Sequence, residues 1–224
     1  KKLNEKKNLD FFKKSKKPIF ILGQGAMCQD DASDIFNYCL NFYQKISKSS
    51  DWNGFNVLQT FSGRVGALDI GFYNKKNISR SLIKQIYDGK FKVLYLMSAD
   101  EINFDKIPKK TFVIYHGHHG DKAVKRADLI VPMSCFTEKE GIYVNLEGRP
   151  QISNQVKLPV EGVNHSWEFF NKLSKLFNLE VFSSLNDLRE KMFLNNEHLS
   201  FINQIKSSKI NKSKLSKPKF SNQE

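Results

Sequence analysis

The most chemically suggestive part of the chain is a stretch with three histidines and one aspartate, His116-Gly-His-His-Gly-Asp121. It follows an apolar run that is typical of a strand, and α/β proteins place their ligand sites at the carboxyl ends of strands. Imidazole and carboxylate groups are common ligands of zinc and other metals. The stretch therefore raises the hypothesis of a metal centre.

The spacing of these residues argues against that hypothesis. The His-x-His-x-Asp-His motif of metallo-β-lactamase-type hydrolases would need Asp and His where this chain has Gly120 and Asp121. The two other histidines, His165 and His198, are distant in the sequence. We favour a glycine-hinged turn whose histidines pack and form hydrogen bonds, and we predict no metal ligand.

A second candidate is Gly23-Gln-Gly25-Ala-Met-Cys28, which follows a strand and leads into a helix. Glycines at such a place let the backbone approach the pyrophosphate of a nucleotide. However, Cys28 stands where the third glycine of that fingerprint belongs, and no second strand ends in an acidic residue about 20 residues later. We interpret the segment as a tight strand-to-helix turn.

Two further groups of reactive side chains also have structural interpretations. Cys135 has no nearby residue that could act as its base, which favours a structural thiol over a nucleophile. Glu138, Glu140 and Glu147 could form the carboxylate pair of a hydrolase, but interleaved basic residues favour an ion-paired surface. We therefore predict neither catalytic nor cofactor-binding residues in this chain.

The segments that position these residues alternate between predicted strands and helices. Apolar runs without strict alternation are typical of parallel strands covered on both faces, and they occur at 18–23, 92–97, 111–115 and 127–131. Periodic patterns predict helices at 30–48, 55–63 and 79–87, and a short helical stretch at 122–125 that Asp121 could cap. Together they indicate a doubly wound α/β fold with a parallel sheet.

Finer expectations concern helix faces and the region after Pro132. One face of the helix at 30–48 should hold Ile35, Tyr38, Cys39 and Phe42. Gly89 should end the helix at 79–87. After Pro132 we expect an irregular stretch, and then helices near 166–177 and 185–192, the second capped by Ser183 or Ser184.

Most of the net charge of +13 lies at the two ends of the chain. Residues 1–17 carry +6 and residues 206–224 carry +5, which leaves +2 for all other positions. Blocks of like charge are usually solvated, so we predict a basic lead-in helix or extension at 1–17 and a basic disordered tail at 206–224. Between them we expect an α/β domain at 18–180 and helices at 181–205. Solvated ends, or contact with an acidic neighbouring subunit, are favoured over RNA binding.

Composition limits the remaining classes. The apolar runs are far shorter than the roughly 20 residues of a membrane helix, so we expect a soluble or peripheral chain without direct membrane insertion. Three scattered cysteines form no disulfide framework, zinc site or cluster ligand set and suggest a reducing compartment. The first segment lacks Arg and contains Glu5 and Asp10, unlike an organellar transit peptide. The chain begins with Lys1, which indicates either processing or a piece of a longer product.

Several fixed spacings resemble the molybdopterin oxidoreductase superfamily, in which a strand ending at proline leads through a Glu-x-x-Gly turn to an Asn-x-Glu-Gly-Arg segment. The matching residues here are Ala127-Asp-Leu-Ile-Val-Pro132, Thr137-Glu-Lys-Glu-Gly141, Tyr143-Val-Asn145, Glu147-Gly-Arg149 and Gln151. A narrower set resembles the large iron–sulfur subunit of mitochondrial-type complex I: Gly63-Arg-Val-Gly-Ala-Leu-Asp69 with Gly71, Val93-Leu-Tyr-Leu-Met-Ser-Ala-Asp100 and Tyr115-His-Gly-His-His-Gly-Asp121. The resemblance runs from about Lys16 to Phe177. It departs from the family pattern at Met133-Ser-Cys-Phe136 and Pro150, where the family favours small residues.

This resemblance implies a fold and a role. In that family the carboxyl-terminal half keeps the superfamily fold without a molybdenum cofactor, while the iron–sulfur clusters lie in the amino-terminal half. We therefore expect a scaffold domain without its own cofactor or catalytic site, docked on a separate cluster-bearing chain and on other peripheral-arm subunits. The expected location is the matrix side of the mitochondrial inner membrane, where complex I couples electron transfer from NADH to ubiquinone to proton pumping. The alternative is a fragment of a catalytic molybdopterin oxidoreductase similar to formate dehydrogenase.

Overall fold

The structure is a computed structural model that describes residue 12 and residues 14–47, 52–73, 79–120 and 122–205. Most of the predicted lead-in helix at 1–17, the predicted cap Asp121 and the whole predicted tail at 206–224 lie outside the described residues.

The chain divides into two compact units. The amino-terminal unit comprises the residues up to Asp69, Tyr143–Gln151 and the residues from Glu197 onward. The central unit comprises Ile70–Ile142 and Ile152–Asn196. The α/β domain expected at 18–180 and the helical region expected at 181–205 stay predictions.

The amino-terminal unit is built on two short parallel strands and one long helix. Its elements are β1 (Phe20–Leu22), α1 (Gln24–Met27), α2 (Ala32–Ile46), β2 (Phe55–Val57) and α3 (Arg64–Asp69), with a 3₁₀ turn at Glu197–Ser200. The predicted strand at 18–23 and helix at 30–48 are present. The helix predicted at 55–63 is wrong, because β2 pairs with β1 there and the rings of Phe20 and Phe55 stack at 5.5 Å.

Helix α2 buries a different stripe from the predicted one. Asn37, Leu40, Tyr43 and Ile46 are buried, whereas Tyr38 is 58% exposed. The buried residues recur every three positions, so neighbouring members lie close together and the stripe winds gradually around the helix. The predicted face is therefore wrong. Its other residues, Ile35, Cys39 and Phe42, are only half-buried.

Polar contacts fix the approach to β2. The Tyr43 hydroxyl accepts a hydrogen bond from the Gly54 amide at 2.6 Å, and the Trp52 indole donates to the Pro18 carbonyl at 2.8 Å. A Cβ on Gly54 would lie 2.2 Å from that same carbonyl oxygen. Only glycine therefore fits at this crossing of the backbone.

The central unit contains a three-stranded parallel sheet in the order β3–β4–β5. The strands are β3 (Val93–Met97), β4 (Phe112–Gly117) and β5 (Leu129–Pro132), and the helices are α4 (Ser79–Tyr87), α5 (Ser166–Leu176) and α6 (Leu185–Asn195). The strands predicted at 92–97, 111–115 and 127–131 are confirmed. So is the helix at 79–87, which Gly89 ends with φ +67°.

The region after Pro132 is more regular than predicted. Strands β6 (Gly141–Val144) and β7 (Pro150–Ser153) pair as a hairpin, and 3₁₀ turns lie at Phe104–Lys106, Lys122–Lys125 and Phe136–Glu138. The expectation of an irregular stretch is thus wrong at the hairpin. The predicted cap of α6 is confirmed, since the Ser184 hydroxyl accepts from the Asp187 amide at 3.1 Å. Among the described helices, none is long and apolar enough to cross a membrane.

The two faces of the sheet differ in what packs on them. On the face called here the covered face, Leu96, Val113 and Tyr115 pack with residues from α4 and the first two 3₁₀ turns. The opposite face, called the open face, consists of Val93, Tyr95, Met97, Phe112, Ile114, His116, Leu129 and Val131. At its amino end, Val93, Phe112 and Leu129 are 56%, 45% and 47% exposed. The prediction of strands covered on both faces is therefore wrong for this end.

Candidate functional site

His116 occupies the carboxyl end of β4 on the open face and is fully buried. Its Nδ1 forms a hydrogen bond of 2.7 Å with the Tyr95 hydroxyl. The rings of Phe169 and Phe170 on α5 lie 5.0 and 5.8 Å from its centroid. The first histidine of the loop is thus enclosed in an aromatic cluster at the carboxyl end of the open face, whereas its strand neighbour Met97 is 45% exposed.

This environment disfavours the protonated form of the imidazole. Burial lowers the pKa of His116 below 6.5, and the charge on Lys139 lowers that pKa further. Burial also lowers the pKa of the Lys139 ammonium. The Nε2 atom of His116 is buried without a hydrogen-bond partner, so protonation there would bury an unpaired charge.

The remaining histidines do not converge with His116. His118 and His119 are exposed and contact each other through their Nδ1 atoms. His165 lies at the start of α5 and bonds the buried Ser134 hydroxyl at 3.0 Å, while His198, in the amino-terminal unit, lies 3.2 Å from Asp69. The described residues contain no group of three His, Cys, Asp or Glu side chains that could hold a metal ion.

The glycine segment after β1 forms a short turn. Gly23 precedes the four-residue helix α1 with an extended backbone, and Cβ atoms on Gly23 or Gly25 would meet nothing within 4 Å. Cys28 follows α1 and is exposed. The geometry is that of a strand-to-helix turn without a close-fitting cradle.

The Glu-x-x-Gly turn uses its first carboxylate as a cap. Glu138 accepts a hydrogen bond from the Cys135 amide at 3.0 Å. The neighbouring Thr137 carbonyl accepts from the amides of Val156 and Lys157 at 2.9 and 3.1 Å. Cys135 is half-buried at the start of the same 3₁₀ turn. These contacts give both Cys135 and Glu138 positions in a capped turn.

The Asn-x-Glu-Gly-Arg segment closes the hairpin between β6 and β7. The Asn145 side chain accepts from the amides of Glu147 and Arg149 at 2.9 and 3.0 Å, and Gly148 has φ +82°. Arg149 pairs with Glu147 at 3.4 Å and donates to the Asn203 carbonyl at 2.7 Å. Each residue of the motif therefore has a structural task in the turn.

The third of the candidate carboxylates, Glu140, forms an ion pair with Arg189 on α6. Glu138, Glu140 and Glu147 thus have separate partners: an amide, an arginine of α6 and Arg149. The interpretation of an ion-paired surface fits two of the three, and capping accounts for the third.

One polar unit was not singled out from the sequence. Asp128 accepts from the Val113 amide at 2.7 Å and from Arg126 at 3.1 Å, and Arg126 also donates to the carbonyls of Pro108 and Thr111. The bond from Val113 and then the Arg126 guanidinium lower the pKa of Asp128. The short Arg-x-Asp spacing before a strand was the available signal. These hydrogen bonds hold the start of β5 next to β4.

Residues 5–176 match the protein family described as molybdopterin oxidoreductase. The name implies a phosphate-bearing pterin and a metal, and two of the grooves lined by described residues can be tested against those needs. A groove of 330 Å³ near Leu58, Phe61 and Tyr143 has no Lys or Arg for a phosphate. A groove of 790 Å³ has Lys109 and Lys122 but no Cys or His for a metal. Neither groove fits the cofactor by itself.

Relatives of known name match most of the chain. It is 34% identical to the NADH-ubiquinone oxidoreductase 75 kDa subunit of Reclinomonas americana, over 88% of this chain and 28% of that protein. It is 35% identical to an NADH-quinone oxidoreductase subunit of Rickettsia bellii, over 96% of this chain and 31% of that protein. It is 38% identical to the mitochondrial NADH dehydrogenase [ubiquinone] iron-sulfur protein 1 of Solanum tuberosum, over 80% and 24%.

The matched part of the chain therefore spans only 24–31% of the length of these relatives. The family match covers more than half of the chain, and it includes the proline-ended strand β5, the capped turn of Glu138 and the Asn145 hairpin. By this match and by its parallel α/β architecture, the chain belongs to the molybdopterin oxidoreductase family.

Proposed function

We propose that this chain is a scaffold domain of respiratory complex I, the NADH:ubiquinone oxidoreductase, equivalent to a carboxyl-terminal part of its large iron–sulfur subunit. It contributes buried surface and shape to the matrix-facing peripheral arm. The arm carries electrons from NADH toward ubiquinone, a transfer that the complex couples to proton pumping. The chain itself performs no chemical step.

The observation that carries this proposal is the similarity, at 33–38% identity, to subunits of NADH dehydrogenases over most of this chain. Two of these relatives have names that include the word mitochondrial. We infer from them a location at the mitochondrial inner membrane. The lysine-rich ends, which lie mostly outside the described residues, are proposed to contact neighbouring subunits.

The cysteine content supports a scaffold role. An iron–sulfur cluster normally takes four cysteine ligands, and this chain has three, at positions 28, 39 and 135. We propose that the clusters reside on a separate polypeptide that supplies the part of the large subunit absent from this chain. The chain would then act by docking on that polypeptide.

A native gel tests the proposal. The chain is tagged in its source cells, membranes are separated without denaturation, and the gel is stained for NADH dehydrogenase activity. We expect the tag in the stained band together with a separate cluster-bearing polypeptide identified by mass spectrometry. A chain that migrates alone, outside the stained band, would refute the scaffold role.

Metal analysis of the same band separates the alternative. A fragment of a catalytic enzyme similar to formate dehydrogenase would carry molybdenum or tungsten with a bound pterin. Recovery of either metal in proportion to the tagged chain would replace the scaffold proposal by the enzyme.

A further inference from the structure

Asn53 is the only asparagine in the sequence that is followed directly by glycine. An asparagine side chain loses ammonia spontaneously when the backbone nitrogen of the next residue attacks its carboxamide carbon. A following glycine favours this attack, because it has no side chain to hinder the approach and its backbone turns freely. By sequence, the pair Asn53-Gly54 is therefore the position of this chain most prone to deamidation.

The reaction at Asn53 needs no reagent other than water. The Gly54 nitrogen bonds to Cγ of Asn53, and the side-chain nitrogen leaves as ammonia with the proton of the Gly54 amide, which closes a five-membered succinimide. Water then opens this ring at either carbonyl and leaves aspartate or isoaspartate. Asn53 is exposed, so water reaches it in the folded chain.

One buried hydroxyl holds the backbone on both sides of Asn53. Tyr43, which is 2% exposed, accepts a hydrogen bond from the Gly54 amide at 2.6 Å and donates one to the Trp52 carbonyl at 3.4 Å. These two groups belong to the peptide units that follow and precede Asn53. Attack requires the Gly54 nitrogen to lose its proton and to move towards Cγ of Asn53, and both are opposed while the amide donates to Tyr43.

Further contacts restrain the two groups that must meet. The Gly54 carbonyl accepts a hydrogen bond from the Phe20 amide at 2.8 Å, and the Gly54 backbone lies so close to the Pro18 carbonyl that a Cβ would not fit. The Asn53 carboxamide oxygen accepts a hydrogen bond from the Phe55 amide at 3.3 Å. The amino-terminal unit therefore holds both the attacking nitrogen and the carboxamide.

We infer that Asn53 is a modification site at which the fold restrains deamidation, through the hydrogen bonds of the Tyr43 hydroxyl to both neighbouring peptide units. Deamidation proceeds when these hydrogen bonds open. Because the product does not revert, its amount records how long this crossing of the backbone has been open. Isoaspartate also lengthens the backbone by one atom directly before Gly54, where there is no space for a Cβ. A chain with isoaspartate therefore cannot re-form the same crossing.

Deamidation of the purified full chain tests this inference. The chain is incubated at neutral pH in its folded state and, in parallel, unfolded in guanidinium chloride, and the tryptic peptide that contains Asn53 is followed by mass spectrometry. Fragmentation distinguishes Asn53 from Asn56, which lies in the same peptide. We expect Asn53 to deamidate at least about tenfold more slowly in the folded chain than in the unfolded chain. Equal rates would overturn the inference.

Tyr43→Phe and Trp52→Phe form a matched pair of variants. The first removes the hydroxyl and keeps the ring, whereas the second removes the indole bond to the Pro18 carbonyl and leaves the Tyr43 hydroxyl in place. We expect Tyr43→Phe to raise the rate in the folded state at least about fivefold, and Trp52→Phe to keep it within about twofold of the wild type. No increase for Tyr43→Phe, or the same increase for both variants, would contradict the restraint by Tyr43.

Amide hydrogen exchange of the wild-type chain provides a test that needs no variant. Small additions of denaturant should speed exchange of the Gly54 amide and deamidation of Asn53 by the same factor, because both require the hydrogen bond to Tyr43 to open. Deamidation that stays constant while this exchange becomes faster, or that becomes faster without it, would refute the inference.

Discussion

The two faces of the central sheet have the same kinds of side chains but different surroundings. The covered face holds Val113 and Tyr115, which are 0% and 2% exposed, whereas Phe112 on the open face is 45% exposed. On the open face itself, His116 is buried against Phe169 and Phe170 of α5, while Val93 and Leu129 at the other end are about half exposed. The difference shows that cover on this sheet depends on which helices the chain supplies.

The largest effect should come from removing aromatic rings on the two faces. Tyr115→Ala should lower the free energy of unfolding by about 3–5 kcal/mol, because it leaves a cavity in the packed core. Phe112→Ala should lower it by less than about 1 kcal/mol, because its ring is half in water. Urea unfolding of both variants measures the difference. Equal losses would mean that the open face is buried in the isolated chain.

Substitution of the buried His116 on the open face should destabilise the protein, as substitutions on the covered face do. His116→Ala removes a buried ring and leaves the Tyr95 hydroxyl without its partner, so we expect a loss of roughly 2–3 kcal/mol in the free energy of unfolding. His118→Ala, at an exposed ring, should change it by less than about 0.5 kcal/mol. The same urea titration at neutral pH compares the two. A large loss for His118→Ala would show that the loop is packed.

The turn at Gly148 in the amino-terminal unit shows how much a strained backbone conformation, outside the central sheet, lowers stability. Gly148→Ala should cost about 1–2 kcal/mol, because φ is +82° there and a Cβ disfavours the left-handed region. Gly120→Ala is the matched control, since a Cβ there meets nothing within 4 Å. Thermal unfolding should show a lower midpoint for the Gly148 variant alone, and a lower midpoint for both would contradict the assigned turn.

The smallest effect should be a pH dependence of the free energy of unfolding that arises from the buried His116. The folded state lowers the pKa of His116 below 6.5 by burial and by the charge of Lys139. The unfolded chain therefore takes up a proton first as the pH falls, and the free energy of unfolding decreases below about pH 6.5. Above that pH, His116 does not change the free energy of unfolding with pH.

Urea unfolding at a series of pH values measures this slope. His116→Gln should flatten it, whereas His118→Gln should leave it as in the wild type. An unchanged slope in the His116 variant would show that another group causes the pH dependence.

Much of the architecture could be predicted because its signals are local. Strands β3 to β5 are short apolar runs, and Gly89 stops α4 at the place where a left-handed residue is needed. Strand β2 could not be recognised, because Phe55 and Val57 also fit a helical pattern and only their pairing with β1 decides. The buried face of α2 could not be recognised for a similar reason, because two neighbouring sides of that helix both carry mainly apolar residues.

The site was predictable only in part. The motif residues after β5 were recognised as a pattern, yet the tasks of Glu138 as a cap and of Asn145 as the closure of a turn depend on backbone amides that the sequence does not locate. The division of the His116 loop into one buried and two exposed rings depends on α5, about 50 residues away. The exposure of the open face likewise depends on what packs on it, and apolar strands look alike in the sequence whether or not another layer covers them.

The indole of Trp52, held to the Pro18 carbonyl, is one of two tryptophans in the chain, and the other, Trp167, lies on α5. One therefore belongs to the amino-terminal unit and one to the central unit. When either tryptophan is replaced by phenylalanine, the fluorescence of the other reports only on the unit that contains it. The melting of each half can then be followed separately by fluorescence within one intact molecule.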